Sequence, residues 1–331
     1  MLGVSGTSLS TDYDLAMLDL DGVVYIGPDA VPGAAGHLDR VRESGMRLAF
    51  ITNNAARPPQ AVAAHLQELG VTARPEDVVT SAQAAARVLV DRLGTGARVV
   101  LLGAAGLEEA LAAEGLVATH VEDDDAVALV TGYGPEVRWR HIMRAAVRVR
   151  EGLWWVASNT DYTIPTAYGV APGHGVLVDT LSRFAGVSPV VAGKPERPLL
   201  DETVRRVGGR RPLMVGDRLD TDIEGARNAG IDSLLVLTGV TGLPELVAAR
   251  PQERPTYLAR DLGGLLRAHE APSRADDGWE LGGWRARVAD GRLEVSGSGE
   301  AEAWWAVVAC AAWAHVDGGG DVPVADDLVA P

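Results

Sequence analysis

The chain is short of cysteine, of basic charge and of long apolar runs, and each shortage removes a class of protein. Cys310 is the one cysteine among 331 residues. No disulfide framework can therefore form within the chain, and a reducing cytoplasm is the simplest compartment. Lys and Arg number 30 against 45 Asp and Glu, for a formal net charge of −15. A surface of that sign disfavours nucleic acid and anionic membrane as partners. Nowhere does an apolar run approach the roughly 18 residues of a membrane span. The opening residues hold no basic stretch followed by an apolar one, so no secretory leader is expected. Internal repeats and low-complexity tracts are absent too. Hydrophobic residues nevertheless make up 47% of the chain. That content and length suit two or three domains of about 100–200 residues each.

What the chain does have is a set of polar groups placed directly behind apolar runs. Residues 15–18 (Leu-Ala-Met-Leu) read as a buried strand, and Asp19-Leu20-Asp21-Gly22 follow at once. In a continuing strand, side chains at i and i+2 point the same way. Two carboxylates would then leave the carboxyl end of a strand together, where open α/β sheets bind ligands. Anions held so close repel unless a divalent cation or an ammonium compensates. The calcium loop of an EF-hand is excluded, because its fifth and twelfth positions would be Val23 and Ala30. Three further sites share the pattern. Residues 48–51 lead into Thr52-Asn53-Asn54, residues 190–192 into Gly193-Lys194-Pro195-Glu196, and residues 213–215 into Gly216-Asp217-Arg218-Leu219-Asp220-Thr221-Asp222.

These four clusters, in this order, resemble the motifs of the haloacid dehalogenase (HAD) superfamily. The wording DLDGVVY, ITNNA, GKPE and GDRLDTDI is similar to its p-nitrophenylphosphatase-like branch (class IIA), over residues 10–270. The resemblance implies an α/β fold: a Rossmann-like core from residues 10–80 and 188–270, interrupted by an α/β cap at 81–187. Within that cap, strands are expected at 98–102, 126–130 and 153–157, alternating with helices at 108–114, 136–150 and 179–185. It also implies a chemistry. Asp19 would be a nucleophile that carries the phosphoryl group, and Asp21 a general acid and then base. Thr52 and Lys194 would neutralise the phosphoryl oxygens, aided by Gly22 and the backbone amide of Asn53. Asn54 would position Asp21 or the substrate. A magnesium ion would be held by Asp19, the backbone carbonyl of Asp21 and Asp217, with Asp222 orienting a metal-bound water. In the cap, the loops around 158–161 and 172–175 would bring Asn159, Asp161, Tyr168 or His174 over the substrate, with packing the favoured role for the last two. The substrate is then a small phosphorylated metabolite. Glycerol 3-phosphate is the best expectation, with pyridoxal phosphate, a nucleotide or a sugar phosphate as alternatives. A homodimer is compatible with the branch.

Residues 269–278 are polar, with Pro and Gly, and read as a linker. Beyond them lie Trp279, Trp284, Trp304, Trp305 and Trp313, five of the eight tryptophans. Disordered tails are poor in aromatics, so residues 279–331 should form a small α+β module. Asp290-Gly291 signals a hairpin, and residues 300–315 a helix with Trp304, Val308 and Ala311 on one face. Residues 294–299 resemble the acetyl-CoA loop of GCN5-related acetyltransferases, except that Glu294 and Glu300 would repel a pyrophosphate. A module that packs on the rest of the chain is the favoured reading. A regulatory module that binds acyl-CoA or a partner is the alternative.

Overall fold

The computed structural model describes every residue except Ala167 and Tyr168, and of Pro165 the backbone alone. Tyr168 thus lies outside the described residues. The chain divides into two compact units, one of Met1–Leu48 with Gly209–Pro331, the other of Ala49–Gly208.

In the first unit, Tyr257–Ala259, Asp232–Val236, Pro212–Gly216 and Leu15–Leu18 lie side by side in parallel. Leu15, Ala16, Met17 and Leu18 are all fully buried. That explains why they show no polar alternation, since parallel strands are covered on both faces. The register pairs Leu18 with Val215 and Gly216 with Leu235. Strand tips therefore end level, and the residues just past them are neighbours.

The C-terminal residues differ from the sequence reading in two ways. The segment read as a linker contains the strand Ser273–Ala275, paired antiparallel with Gly278–Leu281. Trp284–Ala289 and Arg292–Gly297 complete a four-stranded antiparallel sheet. The acidic Asp276-Asp277 turn reads as solvated polarity along the chain. In space Asp277 pairs with Arg285 at 3.3 Å and also with Arg287 on the third strand. The helix Ala301–Asp317 is likewise apolar on more than one face. Ala306, Ala309, Cys310 and Trp313 pack with Leu235, Leu246 and Leu258. Trp304, Val307, Val308 and Ala311 pack with Ala286 and Leu293. The helix thus contributes to two apolar clusters, which is why its pattern departs from the single stripe of a surface helix. Trp313 donates its indole N–H to the Leu246 carbonyl at 2.8 Å. Gly297 and Gly299, the acetyl-CoA-loop candidates, lie against the carbonyls of Gly283 and Gly282, where a Cβ would collide. Close approach of two backbones accounts for both glycines.

In the second unit, Phe50, Ile51 and Thr52 at the end of the strand Arg47–Thr52 pair in parallel with Val78, Val79 and Thr80. A five-stranded parallel sheet follows, ordered Val190–Val191, Trp154–Ala157, Ala128–Thr131, Arg98–Leu102, Val117–Thr119. Helices Ala105–Ala113, Trp139–Arg150 and His174–Ala185 occur where the alternation predicts helices, with shifted starts. The last begins five residues early because His174-Gly175, which reads as a turn, forms its first turn. Arg148 is buried and donates to the carbonyls of Val121, Asp123 and Ala126 at 3.0, 2.7 and 3.2 Å. One guanidinium thereby fastens the segment 121–126. Among the described residues no helix is long and apolar enough to cross a membrane.

Candidate active site

Two groups of the sequence-predicted residues assemble, one in each unit. In the first unit, Asp19 and Asp217 each sit one residue past the tip of adjacent parallel strands. The Asp19 N–H donates to the Val215 carbonyl at 2.9 Å, so the chain stays tethered beyond the strand end. Asp222 enters from the turn Leu219–Ile223, its Oδ2 accepting the Arg218 N–H at 3.1 Å. Ligand oxygens of Asp19, Asp217 and Asp222 all lie within 4.8 Å of one another. Asp217 and Asp222 are completely buried and Asp19 is partly so. Gly216 has no room for a side chain because the Asp222 carboxylate lies against it. Three carboxylates this close, two of them without access to water, call for a bound cation. An all-oxygen donor set suits a hard ion such as magnesium.

Asp21 is not part of that group, and the parity rule does not reach it. The strand ends at Leu18, and the Leu20 carbonyl accepts N–H groups from Val23, Val24 and Tyr25 in a tight turn. Asp21 is consequently exposed while Asp19 is half-buried. Gly22 opens this turn with φ of 82°, a conformation only glycine adopts freely.

In the second unit, Asn53 is a hub. Its Oδ1 accepts the Lys194 N–H at 2.8 Å, and its Nδ2 donates to the Lys194 carbonyl and to Asp161 Oδ1, both at 3.0 Å. The Asn53 carbonyl accepts from Asn159 Nδ2 at 2.7 Å and from the Ser81 hydroxyl. Asn159, predicted as a substrate contact, is 3% exposed and commits its carboxamide to Asn53 and to the Asp161 N–H. Asn54 accepts the Ala56 N–H on Oδ1 at 2.8 Å, and its own N–H donates to Thr52 Oγ1 at 3.1 Å. Lys194, the one lysine of the chain, is 2% exposed.

The loops around 158–161 and 172–175 bind each other. Gly175 donates its N–H to the Asp161 carbonyl and Gly173 to the Tyr162 carbonyl, each at 2.8 Å. His174 is 4% exposed, with Nδ1 2.9 Å from the Asn159 carbonyl. Because that acceptor has no proton, Nδ1 carries one. Burial holds the ring's pKa down at about 4, so near neutral pH it is the neutral Nδ1–H tautomer. Sequence reasoning missed Thr238, Gly239, Val240 and Thr241, which close on Asp217 and Gly22. The signal was available, since they too are polar and small residues behind an apolar strand, Asp232–Val236.

The haloacid dehalogenase-like hydrolase profile matches residues 16–117, and a HAD-hydrolase-like profile matches 191–265. The D-glycerol 3-phosphate phosphatase of Mycobacterium tuberculosis is 43% identical over 295 residues, spanning 89% of this chain and 82% of that protein. An acid sugar phosphatase of Staphylococcus aureus is 36% identical over 256 residues, 77% of this chain and 97% of that one. Among solved structures, the glycerol phosphate phosphatase of M. tuberculosis in complex with magnesium superposes with a TM-score of 0.84 at 41% identity, over 93% of this chain and 92% of that one. A 4-nitrophenylphosphatase of Thermotoga maritima gives 0.71 at 30% identity, over 78% and 98%.

Proposed function

The chain belongs to the haloacid dehalogenase-like hydrolases, and from that premise we propose that it hydrolyses a small phosphate monoester with the help of magnesium, glycerol 3-phosphate being the preferred substrate. The observation that carries this reading is the buried convergence of Asp19, Asp217 and Asp222. Those three carboxylates, with the Asp21 carbonyl, would hold the ion; Asp222, expected from sequence to act through a bound water, lies close enough to Asp19 and Asp217 to ligate directly. When bound, magnesium supplies positive charge against the phosphoryl oxygens and lets anions share the pocket.

The residues act in two half-reactions. An Asp19 carboxylate oxygen attacks phosphorus, the ester P–O bond breaks, and Asp21 gives its proton to the departing alkoxide. Asp21, now a carboxylate, takes a proton from water. That water attacks the aspartyl-phosphate, inorganic phosphate leaves and Asp19 is restored. The exposure of Asp21 suits a group that exchanges protons with water and leaving group. By motif position, Lys194, Thr52, Gly22 and the Asn53 amide serve the phosphoryl oxygens. Asn53, Asn159, Asp161 and His174 form the hydrogen-bonded frame behind Lys194, while Asn54 shapes the turn after Thr52. In the proposed domain plan, residues 10–80 and 188–270 form the core, 81–187 the cap and 279–331 a module that packs through the helix Ala301–Asp317.

Support for the substrate comes from the M. tuberculosis relative, which this chain matches over most of both lengths. The net charge of −15 gives an anionic substrate no general attraction, so local groups must supply it. The test is a kcat/KM comparison of glycerol 3-phosphate, sugar phosphates, nucleotides and pyridoxal phosphate, with magnesium and with chelator. Asp19→Asn should abolish turnover of every ester while circular dichroism stays unchanged. Turnover retained in that variant overturns the mechanism, and a preference for another ester overturns the substrate assignment.

A further inference from the structure

Asp217 is held by a loop that no motif includes. Its Oδ2 accepts the Val240 N–H at 2.7 Å. Its backbone carbonyl accepts the Thr241 hydroxyl at 2.5 Å and the Thr241 N–H at 3.2 Å. The same loop reaches the turn after Asp19, where the Thr238 hydroxyl donates to the Gly22 carbonyl at 2.5 Å. Gly239 and Gly22 both face the Asp217 carboxylate so closely that a Cβ on either would overlap Oδ2, well inside the 3.0 Å that real Cβ contacts respect. Val240 meanwhile leaves its side chain 64% exposed. Residues 238–241 thus direct their polar groups at Asp217 and Gly22 and gain little apolar burial in return.

We propose that Thr238-Gly239-Val240-Thr241 is a positioning element for the divalent cation. Fixing Oδ2 with an amide and crowding it with two glycines leaves the carboxylate one rotation, and so one direction for Oδ1. The Thr241 hydroxyl fixes the backbone from which that carboxylate hangs. Groups that orient a ligand in this way change metal affinity about 10- to 100-fold when removed, because a loose ligand must be ordered each time the ion binds. Gly239 and Thr241 are therefore positioning residues. They act on the ion through Asp217 and touch no substrate. The inference rests on the assignment of Asp19, Asp217 and Asp222 as the cation ligands.

Gly239 is a good probe, since its φ lies outside the left-handed region and the three nearest atoms an alanine Cβ would meet all belong to Asp217. The experiment is calorimetric titration of the chelator-stripped full chain with magnesium alone, beside thermal unfolding of the metal-free protein. Gly239→Ala and Thr241→Val should each bind magnesium about 10- to 100-fold more weakly. Thr241→Ser, which keeps the hydroxyl, should restore wild-type affinity. With saturating magnesium, KM for p-nitrophenyl phosphate should stay at the wild-type value. Wild-type magnesium affinity in folded Thr241→Val and Gly239→Ala overturns the positioning role and leaves the phosphatase reading intact. Failure of Thr241→Ser to restore affinity also overturns it. A wild-type protein that binds no magnesium overturns the ligand assignment itself.

Discussion

Lowering the pH should destabilise this protein through one buried ring, and the size of the effect follows from the surroundings of His174. The side chain is 4% exposed and its Nδ1–H is spent on the Asn159 carbonyl. Among the described residues Nε2 has no hydrogen-bond partner. A proton on Nε2 would place a charge in a site without compensation, and burial holds the pKa down from 6.5 to about 4. In the unfolded chain the ring titrates at its ordinary value. Between the two values the unfolded state binds a proton that the folded state refuses. The associated stability is complete above pH 6.5 and is lost as the pH falls toward 4. Going from about pH 7.5 to about pH 5 crosses some 1.5 units of that window, worth about 2 kcal/mol. His174→Asn supplies the control, because its Nδ2 can donate to Asn159 in place of Nδ1 and does not titrate. The smaller side chain lowers stability at both pH values, and that cost cancels in the difference. Groups common to both proteins, His269 among them, cancel as well. Urea unfolding at the two pH values should show the wild type losing about 2 kcal/mol more than His174→Asn. Equal losses in the two proteins would refute the buried neutral ring.

Two further predictions concern packing. Trp313→Ala empties the contact between the C-terminal helix and Leu246 and should lower stability by about 3–5 kcal/mol in urea unfolding, as for other buried aromatics. A loss under about 1 kcal/mol would mean that the helix packs loosely there. Arg148→Met keeps the length of the stem and removes three donors. The buried Val121 and Ala126 carbonyls lose their Arg148 donor at about 1–3 kcal/mol each, while Asp123 keeps the Ala126 N–H, so a loss of about 2 kcal/mol or more is expected, with faster hydrogen exchange at residues 121–126. Unchanged exchange there would show that the segment holds itself.

The parts of the site that read directly from sequence are those governed by strand ends. An apolar run followed at once by Asp, Thr or Gly-Asp marks a strand tip, and level registers then bring Asp19 and Asp217 together. The roles of the amides were not legible. Asn53 reads as a phosphate-side amide, yet its side chain bonds the Lys194 backbone, 141 positions away in the chain. Long-range bonds of this kind leave no periodic trace. The Thr238–Thr241 contacts with Asp217 are hidden for the same reason. Parity failed at Asp21 because it presumes an extended chain, and the turn begins at Leu20. At the C-terminus, charge in residues 276–277 imitated a linker because a cross-strand ion pair and a solvated loop look alike in one dimension.

A chain with 30 Lys and Arg residues keeps a single lysine among them, and keeps it inside. Arginine's planar fork and lysine's compact ammonium are not equivalent, so residue 194 carries a kind of basic group the chain has nowhere else. The same exclusivity makes the protein spectroscopically simple. Lysine enriched in a heavy nitrogen isotope enters the polypeptide once, and its ammonium resonance needs no assignment. A single peak then reports on the charge of the residue whose backbone Asn53 holds, as substrate and ion come and go.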